Sequence, residues 1–325
     1  MTSAAFDVLG IGNAIVDVIT RADEAFLQKH ALVKGAMTLV DEPTAEALYA
    51  AMGPGVEVSG GSCGNTMAGV ASFGGKGAYI GKVRNDQLGG VFGHDLRATG
   101  VSFETVQSTD GPATARCLIV VTPDAQRTMN TYLGACVRLG PGDIDVARVA
   151  SAQVTYVEGY LWDPPEAKKA VLKAFDAAHA AGRKVSITLS DSFCVDRYRD
   201  EFRALIRDKV DILFANESEI KSLYQVYSFD KALAGARTEG KIVALTRSEK
   251  GSVIVHGAET HAVPAAPVAK VVDTTGAGDL YAAGFLFGYT RGKPLAECAR
   301  LGGIAAAEII SHVGARPEKP LRELI

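Results

Sequence analysis

Residues 273–279 read Asp-Thr-Thr-Gly-Ala-Gly-Asp and run straight into the apolar stretch Leu280-Tyr281-Ala282-Ala283-Gly284-Phe285-Leu286-Phe287. This is a glycine-rich turn opening an apolar helix, with a carboxylate in the first helical turn. The first N–H groups of a helix have no partner within it, and together with the macrodipole they form an anion site. Gly276 and Gly278 let that backbone approach a ligand with no Cβ in the way. A carboxylate beside such a turn, Asp279, can accept the proton of a hydroxyl that attacks phosphorus. The plainer alternative is a tight loop into a buried helix, with Asp279 merely favouring the dipole.

Other segments carry side chains of the right type at strand and helix ends. Asn13 and Asp17 stand four apart at a strand-to-strand junction and suit a vicinal diol, although either could simply cap a loop. Gly60-Gly61-Ser62-Cys63-Gly64-Asn65 follows the strand Val56–Val58 and precedes the helical stretch Thr66–Phe73. It suits close backbone contact with a neutral polyol, or is a plain turn. Asn216-Glu217-Ser218-Glu219 opens a helix after a strand, as an ordinary acidic N-terminus or as a partner for hydrated magnesium. Arg127, at the tip of a hairpin, is either a solvated charge or a phosphate clamp. Two apparent motifs fail. Gly10-Ile11-Gly12 lacks the third glycine of a dinucleotide fingerprint, and in Gly235 to Lys241 a strand follows where a P-loop needs a helix.

The elements that must position these groups are legible in outline. Val154–Glu158, Lys184–Leu189, Asp211–Phe214 and Lys241–Thr246 are short β-branched runs. They alternate with helical stretches at Glu166–Ala180, up to Arg207, and at Glu217–Tyr224. This predicts an α/β fold: a doubly wound, mostly parallel sheet flanked by helices, with ligands at the C-terminal strand ends. Gly276–Thr290 and Leu295–Ser311 read as two packed helices. Ala14–Thr20, Ala36–Val40, Ala113–Val121 and Arg127–Leu133 do not fit the alternation. They are expected to form a small antiparallel β-sheet lid, its hairpin turning at Pro123-Asp124-Ala125-Gln126. The division expected is residues 1–13, 42–110 and 137–325 as core, with 14–41 and 111–136 as the lid, inserted in two pieces.

Bulk properties exclude several classes. The 325 residues, 47% hydrophobic and 22% charged, supply ample core. With 34 basic and 37 acidic residues and no basic stripe, nucleic acid is not an expected partner. The five scattered cysteines contain no Cys-x-x-Cys pair, and the six histidines show no His-x-x-x-His spacing. Reduced thiols and no transition-metal site are expected. Met1 to Gly12 reads as a first strand, and the longest uncharged segment, Ser59 to Gly75, is too rich in Gly, Ser and Asn to span a bilayer. A cytoplasmic protein that does not bind membranes is expected.

Taken in order, Asn13-x-x-x-Asp17, Gly60-Gly61-x-x-x-Asn65, Asn216-x-x-Glu219 and the 273–279 motif resemble the ribokinase-like (PfkB) family of carbohydrate and nucleoside kinases, over essentially the whole chain. Within it the chain looks most like the adenosine kinases, through Gly12 to Asp17, Val210 to Glu217 and the tail Gly314 to Leu321. The resemblance implies an ATP- and magnesium-dependent transfer to a primary hydroxyl, the 5′-OH of adenosine first, with a free sugar or sugar acid as the rival acceptor. It further implies Asp279 as base and the backbone of Gly276, Ala277 and Gly278 as anion hole. Asn13, Asp17, Gly60, Gly61, Ser62 and Asn65 would hold the ribose, and Phe193 would be the aromatic beside the base. Asn216, Thr246, Gly251 and Thr275 would lie along ATP, with Asn216 and Glu219 organising magnesium through water. Arg127 matches a lid arginine that reaches the transferring phosphate. The chain departs from the pattern at Ser248, where the family often has glycine, and Glu158-Gly159-Tyr160-Leu161-Trp162 matches the adenine-stacking segment only loosely. A sugar acid would call for an arginine near the acceptor turn, and residues 59–75 contain no basic residue. A potassium-like monovalent cation and either a monomer or a homodimer are compatible with the family, as is a non-catalytic nucleoside-binding regulator on the same fold.

Overall fold

A computed structural model describes residues 4–124 and 126–325. The strands of the first half are β1 (Phe6–Ile11), β2 (Ile15–Arg21), β3 (Met37–Leu39), β4 (Gly55–Ser59), β5 (Gly77–Ile80), β6 (Ser102–Phe103), β7 (Ala115–Val121) and β8 (Arg127–Tyr132). Those of the second half are β9 (Ala152–Glu158), β10 (Lys184–Thr188), β11 (Ile212–Asn216), β12 (Ile242–Thr246), β13 (Ser252–His256) and β14 (Glu259–Val263). The first helices are α1 (Glu24–Lys29), α2 (Glu42–Ala51), α3 (Ser62–Ser72), α4 (Gln87–Ala98) and α5 (Val146–Ala150). They are followed by α6 (Pro165–Ala180), α7 (Ser192–Lys209), α8 (Glu217–Tyr224), α9 (Phe229–Thr238), α10 (Ala277–Tyr289) and α11 (Leu295–Ile309).

Nine strands form the main sheet in the order β14-β13-β12-β11-β10-β9-β1-β5-β6. It is parallel from β6 to β12, and β13 and β14 add an antiparallel edge. The expected doubly wound sheet is therefore present. Its strands are apolar on both sides because both faces are covered. Along β1, Val8 joins a core shared with α3, α10 and α11, while Leu9 and Ile11 join a second core beneath α6 and α7. Tyr156 and Val157 on β9, and Phe214 and Leu213 on β11, divide in the same way.

The small sheet departs from expectation in two respects. Its order is β3-β8-β7-β2-β4, and it is mixed. The pairs β7–β8 and β2–β4 are antiparallel, whereas β2–β7 and β3–β8 are parallel. Only the β7–β8 hairpin is a local pairing, and the others join segments far apart in the chain, whose direction no turn dictates. The hairpin's turn is held by Thr122 N–H donating to Gln126 O at 3.0 Å; Ala125, within the expected turn, lies outside the described residues. The second departure is β4, which comes from the 42–110 stretch assigned to the core. It pairs with β2, Val16 opposite Ser59 and Thr20 opposite Gly55. Its alternating sequence, Gly-Val-Glu-Val-Ser, is that of a half-exposed strand rather than a buried parallel one. Helix α2 covers one face of this sheet, with Ala45 and Leu48 buried in the core that includes Val16, Val18 and Leu118.

Helices α10 and α11 pack with little between them. A Cβ on Gly284 would lie 2.5 Å from the Leu301 carbonyl oxygen and 2.7 Å from the Gly302 nitrogen, both backbone atoms that cannot step aside. Gly284→Ala must therefore push the helices apart, at a cost of about 1–3 kcal/mol typical of overpacking. Urea unfolding should show a lower midpoint at unchanged slope; an unchanged midpoint would mean that the contact is not close.

Candidate functional site

The site begins where two helices start. Helix α10 is preceded by Gly276 at φ +78°, ψ 0°, a left-handed conformation that costs glycine nothing. Ala277 N–H turns back to Thr274 O at 3.2 Å, and the first helical bond is Leu280 N–H to Gly276 O at 2.8 Å. Gly278 and Asp279 have no carbonyl one turn back, so their N–H groups face whatever lies ahead of the helix. Helix α3 starts at Ser62, earlier than expected, behind Gly61 at φ +79°. A Cβ on Gly61 would lie 2.3 Å from Asn13 O, so glycine is required there on two counts. The two helices approach closely at Gly69, where a Cβ would meet Ala283 and Leu280 at 2.6 Å.

Their N-termini converge on one carboxylate. Asp279 Oδ1 accepts from Ser62 Oγ–H at 2.7 Å, and Oδ2 accepts from Asn65 Nδ2 at 3.0 Å. Burial raises the Asp279 pKa above the ordinary aspartate value, opposed by the bonds from Asn65 and Ser62 and by the charge of Arg316. Ser62 and Asn65, expected on the ribose, are thus committed at least in part to Asp279. Across the turn stands Asp17 on β2, whose carboxylate would lie 2.5 Å from a Cβ on Gly60. Burial pushes Asp17 up to about 6, against the lowering charges of Arg316 and Arg127.

Asn13, at the C-terminal end of β1, is fixed by Glu158 at the end of neighbouring β9. Glu158 Oε1 accepts from Asn13 N–H at 2.9 Å and from Asn13 Nδ2 at 2.8 Å, and Oε2 accepts from Cys63 N–H at 2.8 Å. One amide hydrogen and Oδ1 of Asn13 are left for a ligand. Glu158 is buried and pushed up to about 7 by that burial, opposed by the Asn13 and Cys63 bonds. The sequence places Glu158 at the end of a strand and at the head of the loosely matching segment Glu158–Trp162, and gives it no role of its own. The overlooked signal was a carboxylate ending an apolar parallel strand at its ligand-binding end.

The residues expected along ATP lie on β11, β12 and the 273–279 loop. Asn216 and Thr246 are opposite each other in the β11–β12 register. Asn216 and Glu219 cap α8 reciprocally: Asn216 Oδ1 accepts from the Ser218 and Glu219 N–H groups at 2.8 and 2.9 Å. Glu219 accepts from Asn216 N–H at 2.9 Å and from Nδ2 at 2.6 Å. Burial pushes Glu219 up to about 7, and the charges of Asp191 and Asp279 push in the same direction. No group of three or more His, Cys, Asp or Glu side chains that could hold a metal occurs among the described residues. The fit is to magnesium carried by phosphates and water. Remaining lone pairs of Glu219 can accept from its waters, while direct ligation would break the cap.

Three expected contacts look different in place. Gly251, at φ +78°, would put a Cβ 2.1 Å from Val263 O, so its glycine is already demanded by the β13–β14 edge. Ser248 lies at φ +51°, the left-handed region that favours the glycine the family resemblance leads one to expect there. Phe193, in the first turn of α7, is 75% exposed. Of the neighbouring aromatics, Trp162 is buried against Phe202, with centroids 5.5 Å apart.

A family model for the pfkB family carbohydrate kinases matches residues 41–322. The chain belongs to the PfkB family. It is 56% identical to the crystal structure of adenosine kinase from Sinorhizobium meliloti, with a TM-score of 0.91 over 99% of this chain and 98% of that one. It is also 54% identical to a probable sugar kinase from Rhizobium etli CFN 42, with the same TM-score and coverage. Among curated relatives it is 28% identical to the adenosine kinase of Saccharomyces cerevisiae over 94% of both. The protein is therefore a sugar or nucleoside kinase, a phosphotransferase acting on a hydroxyl, and ATP with magnesium is the family's usual phosphate source. No helix among the described residues is long and apolar enough to cross a membrane.

In this PfkB kinase Arg127 is not a solvated hairpin charge. It is buried, and its Nη1 pairs with Asp273, joining the small sheet to the loop ahead of α10. Asp273 also accepts from Thr275 N–H at 3.0 Å, Thr275 Oγ1 at 2.7 Å and Gly314 N–H at 3.0 Å. Burial raises its pKa, but these bonds and Arg127 outweigh it and leave Asp273 below the ordinary value. The pair holds the guanidinium against the loop that leads into the α10 N-terminus, the anion site expected from the sequence. Arg127→Ala should lower kcat more than it raises the acceptor's KM, and lysine should restore only part, lacking the planar fork. Steady-state kinetics of the two variants check this; full kcat in Arg127→Ala would remove it from the transfer step.

Proposed function

We propose that this kinase phosphorylates the 5′-OH of a nucleoside, adenosine first, at the expense of magnesium-ATP. The observation that carries this is the face of the small sheet that bears Asp17. Strand alternation puts Ile15, Asp17 and Ile19 on one side of β2, in register with Cys117 and Ile119 of β7. Cys117, Ile119 and Val121 form an apolar cluster with Ile15, Ile19 and Met129. A polar pair, Asn13 and Asp17, beside an extended apolar wall suits a ribose carrying a flat apolar base better than a free sugar, which offers hydroxyls all round.

Asp279 acts as base in this reading. An alcohol is far too weak an acid to be deprotonated in the ground state. The carboxylate orients the hydroxyl and takes its proton as bonding to phosphorus develops. Its raised pKa makes it a better acceptor, while Ser62 and Asn65 fix its direction. The N–H groups at the α10 start and Arg127 receive the charge on the transferring phosphoryl group. Magnesium, when bound, would supply neutralising charge to the ATP phosphates, and Asn216 and Glu219 would hold its waters. Asn13 and Asp17 hold the vicinal hydroxyls. The apolar wall excludes water, which would otherwise take the phosphoryl group.

The rival acceptor is a sugar or sugar acid. The acid was disfavoured because residues 59–75 have no basic residue, yet Arg316 reaches that turn from the C-terminal tail. Its bonds go to the carbonyls of Ser59 and Gly64, which leaves it poorly disposed to read a ligand carboxylate. A non-catalytic regulator would have no use for a buried carboxylate aimed by two side chains at a helix start.

ADP release with magnesium-ATP across nucleosides and sugars tests the reading, with adenosine expected to give the highest kcat/KM; a free sugar in first place would overturn the acceptor. Asp279→Asn should cut kcat by about 10²–10⁴ while both ligands still bind by calorimetry. 2′-Deoxyadenosine should lose about 1–3 kcal/mol in kcat/KM relative to adenosine, because it leaves Asn13 or Asp17 unpaired. Equal values for the two nucleosides would remove the diol assignment.

A further inference from the structure

Arg316 is a largely buried guanidinium without an ion-pair partner. Its Nε–H donates to Ser59 O at 2.9 Å and Nη1 to Gly64 O at 2.6 Å, while Nη2 reaches Ser59 O and, at 2.9 Å, Ser59 Oγ. All of these acceptors are neutral. Among the described residues no carboxylate lies within 4 Å of it. Taking a charge out of water without a partner is costly, so its field must be compensated at longer range. Three carboxylates supply that field: Asp95 on α4, Asp17 on β2 and Asp279 on α10. Asp95 is itself tied to the same turn, accepting from Ser59 N–H at 2.7 Å and Ser59 Oγ at 2.6 Å.

The segment that delivers Arg316 is fastened on every side. Gly314 N–H donates to Asp273 at 3.0 Å, and a Cβ on Gly276 would lie 3.0 Å from Ala315 Cβ. Further along, Glu308 Oε1 accepts from the Glu318 and Lys319 N–H groups at 3.0 and 3.1 Å, and it stands 3.2 Å from His312 Nε2. Leu321 is fully buried, and its N–H donates to Ser72 Oγ at 2.9 Å. A tail pinned at Asp273, Glu308 and Ser72 holds the guanidinium at one fixed place, beneath the turn that starts α3.

We propose that Arg316 is the positioning residue of the acceptor site: it clasps the two ends of the turn, Ser59 and Gly64, and supplies one positive charge whose field reaches both Asp17 and Asp279. The fork sets the shape of the turn that carries Ser62 and Asn65, and so the direction of Asp279. The charge allows two neighbouring carboxylates to be ionised together, which both jobs require: Asp17 as acceptor of ligand hydroxyls and Asp279 as acceptor of the proton. Without it, like charges in a buried site would force one of them to keep a proton. The inference deepens the kinase reading above and rests on Asp279 as the base.

The groups that face this pair come from each surrounding element. Arg127 on β8 and Arg316 lower Asp17, while Asp279 raises it. Asp279 in turn raises Glu158 and Tyr156 on β9, Cys63 on α3 and Glu219 on α8. Glu158 and Glu219, both pushed up to about 7, are the groups whose titration overlaps the relevant range. Their contribution is separated by assigning each aspartate directly.

The test is a ¹³C-carboxyl NMR titration of aspartate-labelled protein, with Asp279 and Asp17 assigned from the Asp279→Asn and Asp17→Asn variants. It is paired with the pH profile of kcat, in the wild type, Arg316→Met and Arg316→Lys. In Arg316→Met at least one of the two carboxyls is expected to titrate about one unit higher than in the wild type. The acid limb of kcat should move the same way, and kcat at neutral pH should fall about tenfold or more. Arg316→Lys keeps the charge but not the fork. Its carboxyls and acid limb should stay near the wild-type positions while the acceptor's KM rises. If Arg316→Met does not fold, Arg316→Lys and Glu308→Gln carry the test. Glu308→Gln should loosen the tail and move the carboxyl titrations upward by a smaller amount. Wild-type titrations in Arg316→Met, or in Glu308→Gln together with a wild-type KM in Arg316→Lys, would overturn the proposal. Should no acceptor be turned over by the wild type, the functional reading falls, and the titrations alone decide the placement of the charge.

Discussion

The site depends on one buried carboxylate shared between two helix starts. Asp279 belongs to the first turn of α10, yet the side chains that aim it, Ser62 and Asn65, belong to the first turn of α3. Both helices present their positive ends to the same small volume, so a carboxylate there is favoured twice over. The arrangement requires the helices to come close, which Gly69 permits against Ala283 and Leu280. It also requires each helix to begin abruptly, which Gly61 and Gly276 achieve with left-handed backbone. Once these conditions hold, the two helix starts, the carboxylate between them and the turn at residues 60–65 follow from the same packing.

The remaining charges are disposed around that point so that no ionised group is abandoned. Asp17 and Glu158 crowd it from the small sheet and from β9, and burial raises both of their pKa values, as it raises that of Asp279. Two guanidiniums oppose them from elements remote in sequence. Arg127 arrives on the small sheet and is clasped by Asp273. Arg316 arrives on the C-terminal tail and is clasped by backbone carbonyls. Asp273 touches both systems, holding Arg127 through its carboxylate and the tail through Gly314 N–H. The small sheet and the tail are thereby joined through a single side chain.

The start of α8 illustrates how a structural role can leave room for a proposed chemical one in the same atoms. Asn216 and Glu219 are a capping box, as an acidic helix start after a strand would suggest on its own. Capping spends the strongest hydrogen bonds of both side chains but leaves lone pairs on Glu219. For a strongly hydrated cation, which keeps its own water, that is sufficient. The same economy holds at Gly251, needed for a tight approach of Val263 O whatever the nucleotide does.

Local sequence was enough to predict the parallel core, because a strand buried on both faces must be apolar throughout and each crossover helix must be amphipathic. It was also enough for the 273–279 motif, since a helix start, two glycines and a carboxylate are consecutive residues whose geometry needs no distant partner. The small sheet was only half legible. The β7–β8 hairpin is local, but the parallel alignment of β2 with β7 and the recruitment of β4 depend on which long-range pairings bury the most surface. Glu158 and Arg316 were missed for the same reason. Each is a charged residue whose own neighbours give it no partner, and its place was decided only when β9 came to lie beside β1 and the tail folded back beneath α3. Charge in a buried site acts across space rather than along the chain, so the sequence by itself determined which residues could do chemistry, and the tertiary structure decided which charges they do it beside.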